Sequence, residues 1–201
     1  MTKQLMTTAL AALMAVGLVL PACAQTPVAN SAAVLEQIAR VQQPGAGATL
    51  KYSFRQTKHS PLLAVDAVSK GNLTLGSNHT MHWQYTEPQA FSLIVEGDSI
   101  YTVSGGKRTP LSGAGGKMTR GLAQMMMQMT DGASLTDSKL FETSLMEDAG
   151  TYYVTLVPKR RDMKRMMQRA ELTFDHKSLC IKSVRLIEKA DSYTQIDFTR
   201  Q

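Results

Sequence analysis

Apolar and polar residues alternate along most of the chain beyond residue 49, and this alternation restricts the fold more than any other feature of the sequence. A period of two places successive side chains on opposite faces of a strand, so each stretch predicts a strand with one buried face. Turn-forming residues, many of them glycines, separate the stretches. Short strands at nearly regular spacing predict a single antiparallel meander, which makes the chain mainly β with short helices, of the α+β class. The alternating apolar residues are Leu50, Tyr52, Phe54, Trp83, Tyr85, Phe91, Leu93, Val95, Tyr101, Val103, Tyr152, Val154, Leu156, Ala170, Leu172, Phe174, Ile196 and Phe198.

Two segments break this pattern and have helical spacing instead. Residues 31–43 place apolar residues three and four apart behind a possible Ser31 cap, and Pro44 and Gly45 end the pattern. Residues 117–131 predict a second helix that is rich in methionine. Its apolar stripe consists of Met118, Leu122, Met125, Met126 and Met129.

The N-terminus predicts export. Lys3 precedes a continuous apolar stretch, Leu5–Leu20, and a small-residue exit site follows. These are the three parts of a secretory signal peptide. Cleavage after Ala24 would release a soluble periplasmic protein. Alternatively, cleavage before Cys23 would give a lipid-anchored form, although Pro21 suits that signal poorly.

One domain is expected after this leader. The 201 residues, 43% of them hydrophobic, suffice for one core and are too few for two ordinary domains. We therefore expect a signal peptide over residues 1–24, a linker over 25–30 and a single domain over 31–201.

No recognisable catalytic or metal-binding constellation stands in the sequence. It contains no GxSxG, HExxH or CxxC motif, and the carboxylates near turns form no acid–base pair. His79 and His82 are three residues apart, which puts them on opposite faces of a strand. We therefore expect neither an enzyme nor a cofactor or metal.

The net charge of +6 permits anionic partners without selecting one. The densest basic run could steer the protein to anionic headgroups or an acidic partner, or could simply be a solvated hairpin end. Nucleic acid is not expected, because no aromatic residues interleave with these charges. The run consists of Lys159, Arg160, Arg161, Lys164, Arg165 and Arg169.

Several short segments resemble the LolA-type lipoprotein carrier family, in the same order as in that family. Phe54-Arg55-Gln56 resembles its opening F-x-Q strand, and Gly71-Asn72-Leu73 follows at a similar interval. The segment 81–88 resembles its tryptophan-x-tyrosine hairpin, which ends in proline. Residues 95–101 resemble its aspartate–glycine turn, and residues 154–159 its L-x-P-K strand end. The last strands fit as well, so the resemblance covers essentially the whole mature chain.

The resemblance implies a curved antiparallel sheet of about eleven strands, forming an incomplete β-barrel whose mouth is closed by short lid helices. It also implies a monomeric periplasmic carrier that binds the acyl chains of lipoproteins, or of a related lipid, in an apolar cavity. Such a carrier takes its cargo from an inner-membrane export complex to an outer-membrane acceptor. The alternative on the same fold is a membrane-anchored lipoprotein, lipidated at Cys23, that acts as an acceptor or a sensing module.

The resemblance also directs attention to one face of the strands and to the methionine-rich segment. These side chains would either contact the acyl chains or pack as ordinary core. One position departs from the family: Ser77 stands where the carriers have an arginine that holds the lid. The candidate ligand-binding residues are Phe54, Trp83, Tyr85, Phe91, Leu93, Val95, Leu122, Met125, Met126 and Met129.

Overall fold

The computed structural model describes residues 25–111, 123, 126, 127, 130, 132–137, 139–189 and 191–201. Within these residues the chain forms one antiparallel sheet of twelve strands with three short helices. The strands are β1 Thr26–Pro27, β2 Thr49–His59, β3 Ala67–Gly76, β4 Thr80–Glu87, β5 Phe91–Glu96, β6 Ser99–Ser104, β7 Lys107–Pro110, β8 Phe141–Glu147, β9 Thr151–Pro158, β10 Arg169–Asp175, β11 Ile181–Ile187 and β12 Tyr193–Arg200. The helices are α1 Ser31–Gln42, α2 Ala133–Thr136 and α3 Arg161–Met166.

Two meanders are joined side by side in the sheet. The strand order is β1-β8-β9-β10-β11-β12-β2-β3-β4-β5-β6-β7, so β12 returns to pair with β2 along most of its length. Strands β1 and β7 remain as separate edges, which leaves the barrel incomplete as expected. Irregular register after Lys70 in β3 and after Thr173 in β10 bends the sheet.

The sheet has twelve strands, one more than the eleven or so expected, and β1 is a very short strand of two residues. Thr26 pairs with Glu147 and Pro27 with Met146, inside the segment expected to be a linker. Two residues give no measurable alternation, so the sequence pattern could not reveal this strand. It covers the exposed edge of β8, and its proline prevents further pairing there.

The alternation predicted from the sequence appears directly in the burial of the strands. In β2, Tyr52 and Phe54 are buried, whereas the intervening residues are exposed or half-buried. The same holds for β9, β10 and β12, whose buried side chains face the same side of the sheet and belong to one core cluster. The sheet therefore has one apolar concave face and one mostly polar convex face.

Helical segments cover the concave face. Helix α1 buries Leu35, Ile38 and Ala39 against it, and its bounds agree with the helix predicted for residues 31–43. The predicted cap is wrong: Asn30 is at the N-cap position, and Ser31 is the first residue of the helix. Ala123, Met126, Met127 and Thr130 are also helical, as predicted for the methionine-rich segment. No helix among the described residues is long and apolar enough to cross a membrane.

Candidate ligand-binding cavity

An aromatic cluster occupies the centre of the concave face. The Phe54 ring lies 4.8 Å from the Trp83 ring and 5.3 Å from the Tyr85 ring, measured between centroids. Trp83 also makes an edge contact with Phe198 at 5.9 Å, and Tyr85 lies 6.2 Å from Phe91. These separations lie in the range of attractive aromatic pairs.

Strand register explains how residues so far apart in sequence meet. Phe54 pairs with Gly71, and Gly71 pairs with Tyr85 on the next strand. A Cβ at position 71 would lie 1.9 Å from the carbonyl oxygen of Gln84 and 2.7 Å from the Phe54 ring. Only glycine fits there, and its missing side chain leaves the space that the Phe54 ring occupies.

All six candidate residues from the strands lie on this concave face. Phe54, Trp83, Leu93 and Val95 are buried, and Tyr85 and Phe91 are half-buried at its margin. Leu93 pairs with Trp83, and Val95 with Met81, so the apolar surface continues from β4 to β5. The six side chains thus share one face of the sheet, and their contact with a ligand stays a prediction.

Of the four candidates from the methionine-rich segment, Met126 is among the residues that the structure describes. Met126 is buried at 9% exposure and packs over the concave face, as does Met127 at 7%. Leu122, Met125 and Met129 lie outside the described residues. The buried Thr130 hydroxyl donates a hydrogen bond to the main-chain oxygen of Met126 at 2.8 Å. This bond satisfies a polar group that lies over the apolar surface.

We call the helical residues Ala123, Met126, Met127 and Thr130 the cover. Gly132, which follows them, allows the chain to pass close to α1. Its φ of +77° is left-handed, and a Cβ there would lie 2.7 Å from the Cα of Ala39. The methionine-bearing cover and α1 therefore touch backbone to backbone at this point.

A small apolar cavity remains between the cover and the sheet. Its volume is about 10 Å³, which is roughly the minimum for a single water molecule. An acyl chain does not fit in it. A hydrocarbon ligand that entered this cavity would therefore have to displace part of the cover. The cavity is lined by Trp83, Met126, Thr130, Val184, Leu186, Ile196 and Phe198.

Five of these lining residues were not among the candidate site residues: Thr130 of the methionine-rich segment and four residues of β11 and β12. Ile196 and Phe198 belong to an alternating stretch, so the sequence carried the signal that they share a face with other core residues. Val184 and Leu186 alternate in the same way on β11. That β11 and β12 lie opposite Met126 is set by tertiary packing and has no local sequence signal.

Polar groups at this face are few. The Trp83 Nε1 atom is buried and has no well-formed hydrogen bond among the described residues. The Tyr85 hydroxyl donates to Gln56 Oε1 at 3.0 Å. Burial raises the pKa of Tyr85, while the neighbouring Trp83 indole and the Gln56 amide oppose that rise. The indole thus lies near the Tyr85 oxygen but outside good hydrogen-bond geometry.

Ser77, which the resemblance predicts to replace the carriers' arginine, lies in the turn between β3 and β4. It borders a cleft of about 230 Å³ together with Gln42, His79 and Met127. The buried Gln42 side chain donates to the carbonyl oxygen of Leu179 at 2.6 Å and accepts from the Tyr52 hydroxyl at 3.4 Å. Through these two hydrogen bonds, Gln42 holds the C-terminal end of α1 against the sheet, and no basic residue at position 77 takes part.

Tyr52, whose hydroxyl bonds to Gln42, is completely buried in the core. Burial raises its pKa to about 12; the neighbouring Cys180 adds to the rise and Arg200 opposes it. The hydroxyl therefore stays protonated at neutral pH and can donate to Gln42.

Comparison with known proteins agrees with this architecture. The profile of the family described as "Outer membrane lipoprotein carrier protein LolA" matches residues 47–201. This chain belongs to the LolA family. The match spans all strands from β2 to β12, including every candidate residue on the sheet.

Solved structures with a similar arrangement have little sequence identity to the chain. A LolA superfamily protein from Nitrosomonas europaea is 10% identical, with 83% of this chain and 90% of that one covered, at a TM-score of 0.41. A putative outer membrane lipoprotein-sorting protein domain from Vibrio parahaemolyticus is 8% identical, with 83% and 91% covered, at a TM-score of 0.40. LprF from Mycobacterium bovis is 11% identical, with 87% and 93% covered, at 0.38. No curated protein sequence matches this chain significantly.

Proposed function

We propose that this LolA-family protein is a periplasmic carrier that binds the acyl chains of lipoproteins, or of a related lipid, on its concave face. The observation that carries the proposal is that helices, rather than further strands, cover an apolar sheet. Helices packed through side chains can separate from the face without breaking the ladder between strands. The proposed role is binding, with no chemical step.

The energetics explain why such a carrier needs an enclosed surface. Each buried CH₂ group is worth about 0.8 kcal/mol, so an acyl chain of about 16 carbons corresponds to on the order of 12 kcal/mol. A protein that carries this chain through water must cover nearly all of it. The aromatic cluster around Trp83 and the apolar residues of β11 and β12 supply one wall.

The cover supplies the second wall and competes with the ligand. In the described arrangement, Met126 lines the cavity above Trp83, and Met127 is buried in the same core cluster. Methionine is unbranched and polarizable, so it can repack around an irregular hydrocarbon at little cost. Binding would exchange contacts between cover and sheet for contacts between ligand and sheet, which keeps loading and release reversible.

Export and delivery complete the proposal. The signal peptide over residues 1–24 would direct the single domain to the periplasm, where it would act as a monomer. An inner-membrane export complex would supply the cargo, and an outer-membrane acceptor would receive it.

Lipid extraction tests the proposal. The exported protein would be purified without detergent, denatured, and its organic extract identified by mass spectrometry. We expect acylated molecules in near-stoichiometric amounts. Phe91→Glu, which places a charge at the margin of the concave face, should lose them, whereas Gln84→Glu on the convex face should retain them. Folded protein that repeatedly yields no lipid and takes up no fatty-acid probe would refute the carrier function.

A further inference from the structure

The large apolar side chains that are exposed among the described residues all lie at one end of the sheet. Here β2 ends and β3 begins, and strand register aligns this end with the β9–β10 and β11–β12 connections: His59 pairs with Tyr193, Tyr193 with Ile187, and Ile187 with Arg169. We call this end, formed by residues 60–68, 157–169, 188–189 and 191–192, the Leu62 rim. Its exposed apolar residues are Leu62, Leu63, Val65, Val68, Val157 and Met166.

The connection between β2 and β3 presents most of this apolar surface. Leu62 is 95% exposed and Val65 79% exposed, values that leave them almost wholly in water. Residues 60–65 contain no charged side chain. Apolar residues this exposed and this close together in a folded domain indicate a surface that meets a partner.

Local contacts hold this loop in a defined shape. His59 Nδ1 lies 2.7 Å from Asp66 Oδ1 and closes the base of the loop. The His59 ring stacks on Tyr193 at 5.0 Å between centroids, and the amide of Leu63 donates to the carbonyl oxygen of Ser60 at 2.9 Å. The leucines therefore project from a constrained tip.

Positive charge accompanies the apolar tip at the same rim. The segment 159–169, which includes α3, carries six basic residues and one acidic residue, Asp162, which pairs with Arg160 at 2.7 Å. Arg161, Lys164 and Arg165 are exposed and have no ion-pair partner in the part of the chain that the structure describes. Strand β10 lies four strand spacings from β3, about 19 Å, so charge and tip can contact one broad surface together.

We propose that the Leu62 rim docks reversibly on an anionic lipid bilayer. Leu62, Leu63 and Val65 enter the headgroup layer, while the cations of α3 contact the lipid phosphates. Apolar residues beside exposed cations suit an interface of acyl chains and headgroups, and the positive charge of the rim is complementary to anionic headgroups. Because the loop backbone still needs hydrogen bonds, insertion stops at headgroup depth.

This docking site is separate from the cavity and does not depend on the proposed carrier function. It lies beyond the strand ends, whereas Trp83 and Met126 lie on the concave face. Binding of the rim to a bilayer would keep the protein at the membrane whether or not a ligand occupies the concave face.

Vesicle sedimentation tests the proposal. The exported, processed full-chain product would carry Cys23→Ser throughout, so that no lipid anchor contributes. Vesicles would contain either phosphatidylcholine with phosphatidylglycerol or phosphatidylcholine alone. We expect salt-sensitive binding to the anionic vesicles only. Each cation near such a surface is worth about fivefold in affinity, so Arg161→Gln, Lys164→Gln and Arg165→Gln together should weaken binding on the order of 100-fold.

Two further variants separate tip, charge and fold. Leu62→Asn with Leu63→Asn should weaken binding roughly tenfold or more, because each leucine leaves the apolar layer. The matched control, Lys51→Gln with Lys177→Gln and Lys182→Gln, removes the same charge from exposed positions at the opposite end and should change binding much less. Unfolding midpoints and uptake of a fatty-acid probe should stay unchanged in all variants.

Three results of the sedimentation assay would each overturn the proposal. They are no sedimentation with anionic vesicles at low salt, equal loss in the rim and control variants, and full binding by the Leu62 and Leu63 variant. Rim-dependent binding to an acidic protein without binding to vesicles would also overturn it. Vesicle binding by a protein that takes up no fatty-acid probe would support the docking site and refute only the carrier function.

Discussion

Truncating Met126 should destabilise the protein and at the same time strengthen ligand binding. Met126 is 9% exposed and lines the small cavity above Trp83. Changing a buried methionine to alanine costs about 3 kcal/mol of unfolding free energy. If the cover must leave this face to admit a ligand, the same contacts are lost on opening, so Met126→Ala lowers the cost of opening by a similar amount.

The arithmetic gives a measurable effect on affinity. About 3 kcal/mol corresponds to roughly 100-fold in an equilibrium constant. Contacts between the Met126 side chain and the ligand would subtract from this gain, so we expect apparent affinity to rise about 10- to 100-fold. Binding of the fluorescent fatty acid cis-parinaric acid can be followed by energy transfer from Trp83, because the chain contains one tryptophan. Urea unfolding would measure the loss of stability.

The matched control is Met167→Ala. Met167 is 2% exposed in the same core but does not line the cavity, so it should lose comparable stability without any gain in affinity. Equal stability losses with unchanged or weaker binding by Met126→Ala would refute a displaceable cover. Met126 would then be ordinary core.

Three further predictions follow from the structure and the sequence. Gly71→Ala should lower the unfolding free energy by about 1–3 kcal/mol or more, because the new Cβ overlaps the Gln84 backbone; an unchanged urea midpoint would contradict the register. Tyr52 titrates near pH 10 when unfolded and at about 12 when folded, so stability should fall as pH rises through that interval, and Tyr52→Phe should abolish this part of the slope in pH-dependent melts. If residues 1–24 are removed as a signal peptide, the secreted protein begins at Gln25 and incorporates no labelled palmitate; incorporation abolished by Cys23→Ser would instead support the anchored form.

Local sequence pattern predicted strands β2, β4, β5, β6, β9, β10 and β12 and placed their apolar residues on one face, whereas it did not predict β3, β7, β8 and β11. Alternation depends only on neighbours along the chain, so it correctly put Phe54, Trp83, Leu93 and Val95 on a buried face. Helix α1 was predictable for the same reason, since its apolar residues recur at helical spacing. Short elements without a period, such as β1 and α3, were not predictable.

Tertiary packing determined the rest of the site. The pairing of Phe54 with Gly71 and of Gly71 with Tyr85 depends on register between strands, which single-strand patterns do not encode. Likewise, no local signal indicates that Gln42 would fasten α1 to the turn at Leu179. The small size of the cavity above Trp83 also depends on how Met126 packs against β11 and β12.

Photocrosslinking in cells tests most directly whether the concave face holds hydrocarbon. Benzoylphenylalanine would replace Tyr85, which is half-buried at the concave margin, and in a separate strain its neighbour Gln84, which is exposed on the convex face. After irradiation, adducts would be identified by mass spectrometry. We predict acylated adducts from position 85 and none from position 84. Absence of acylated adducts at position 85, or equal yields at both positions, would contradict an acyl-binding concave face.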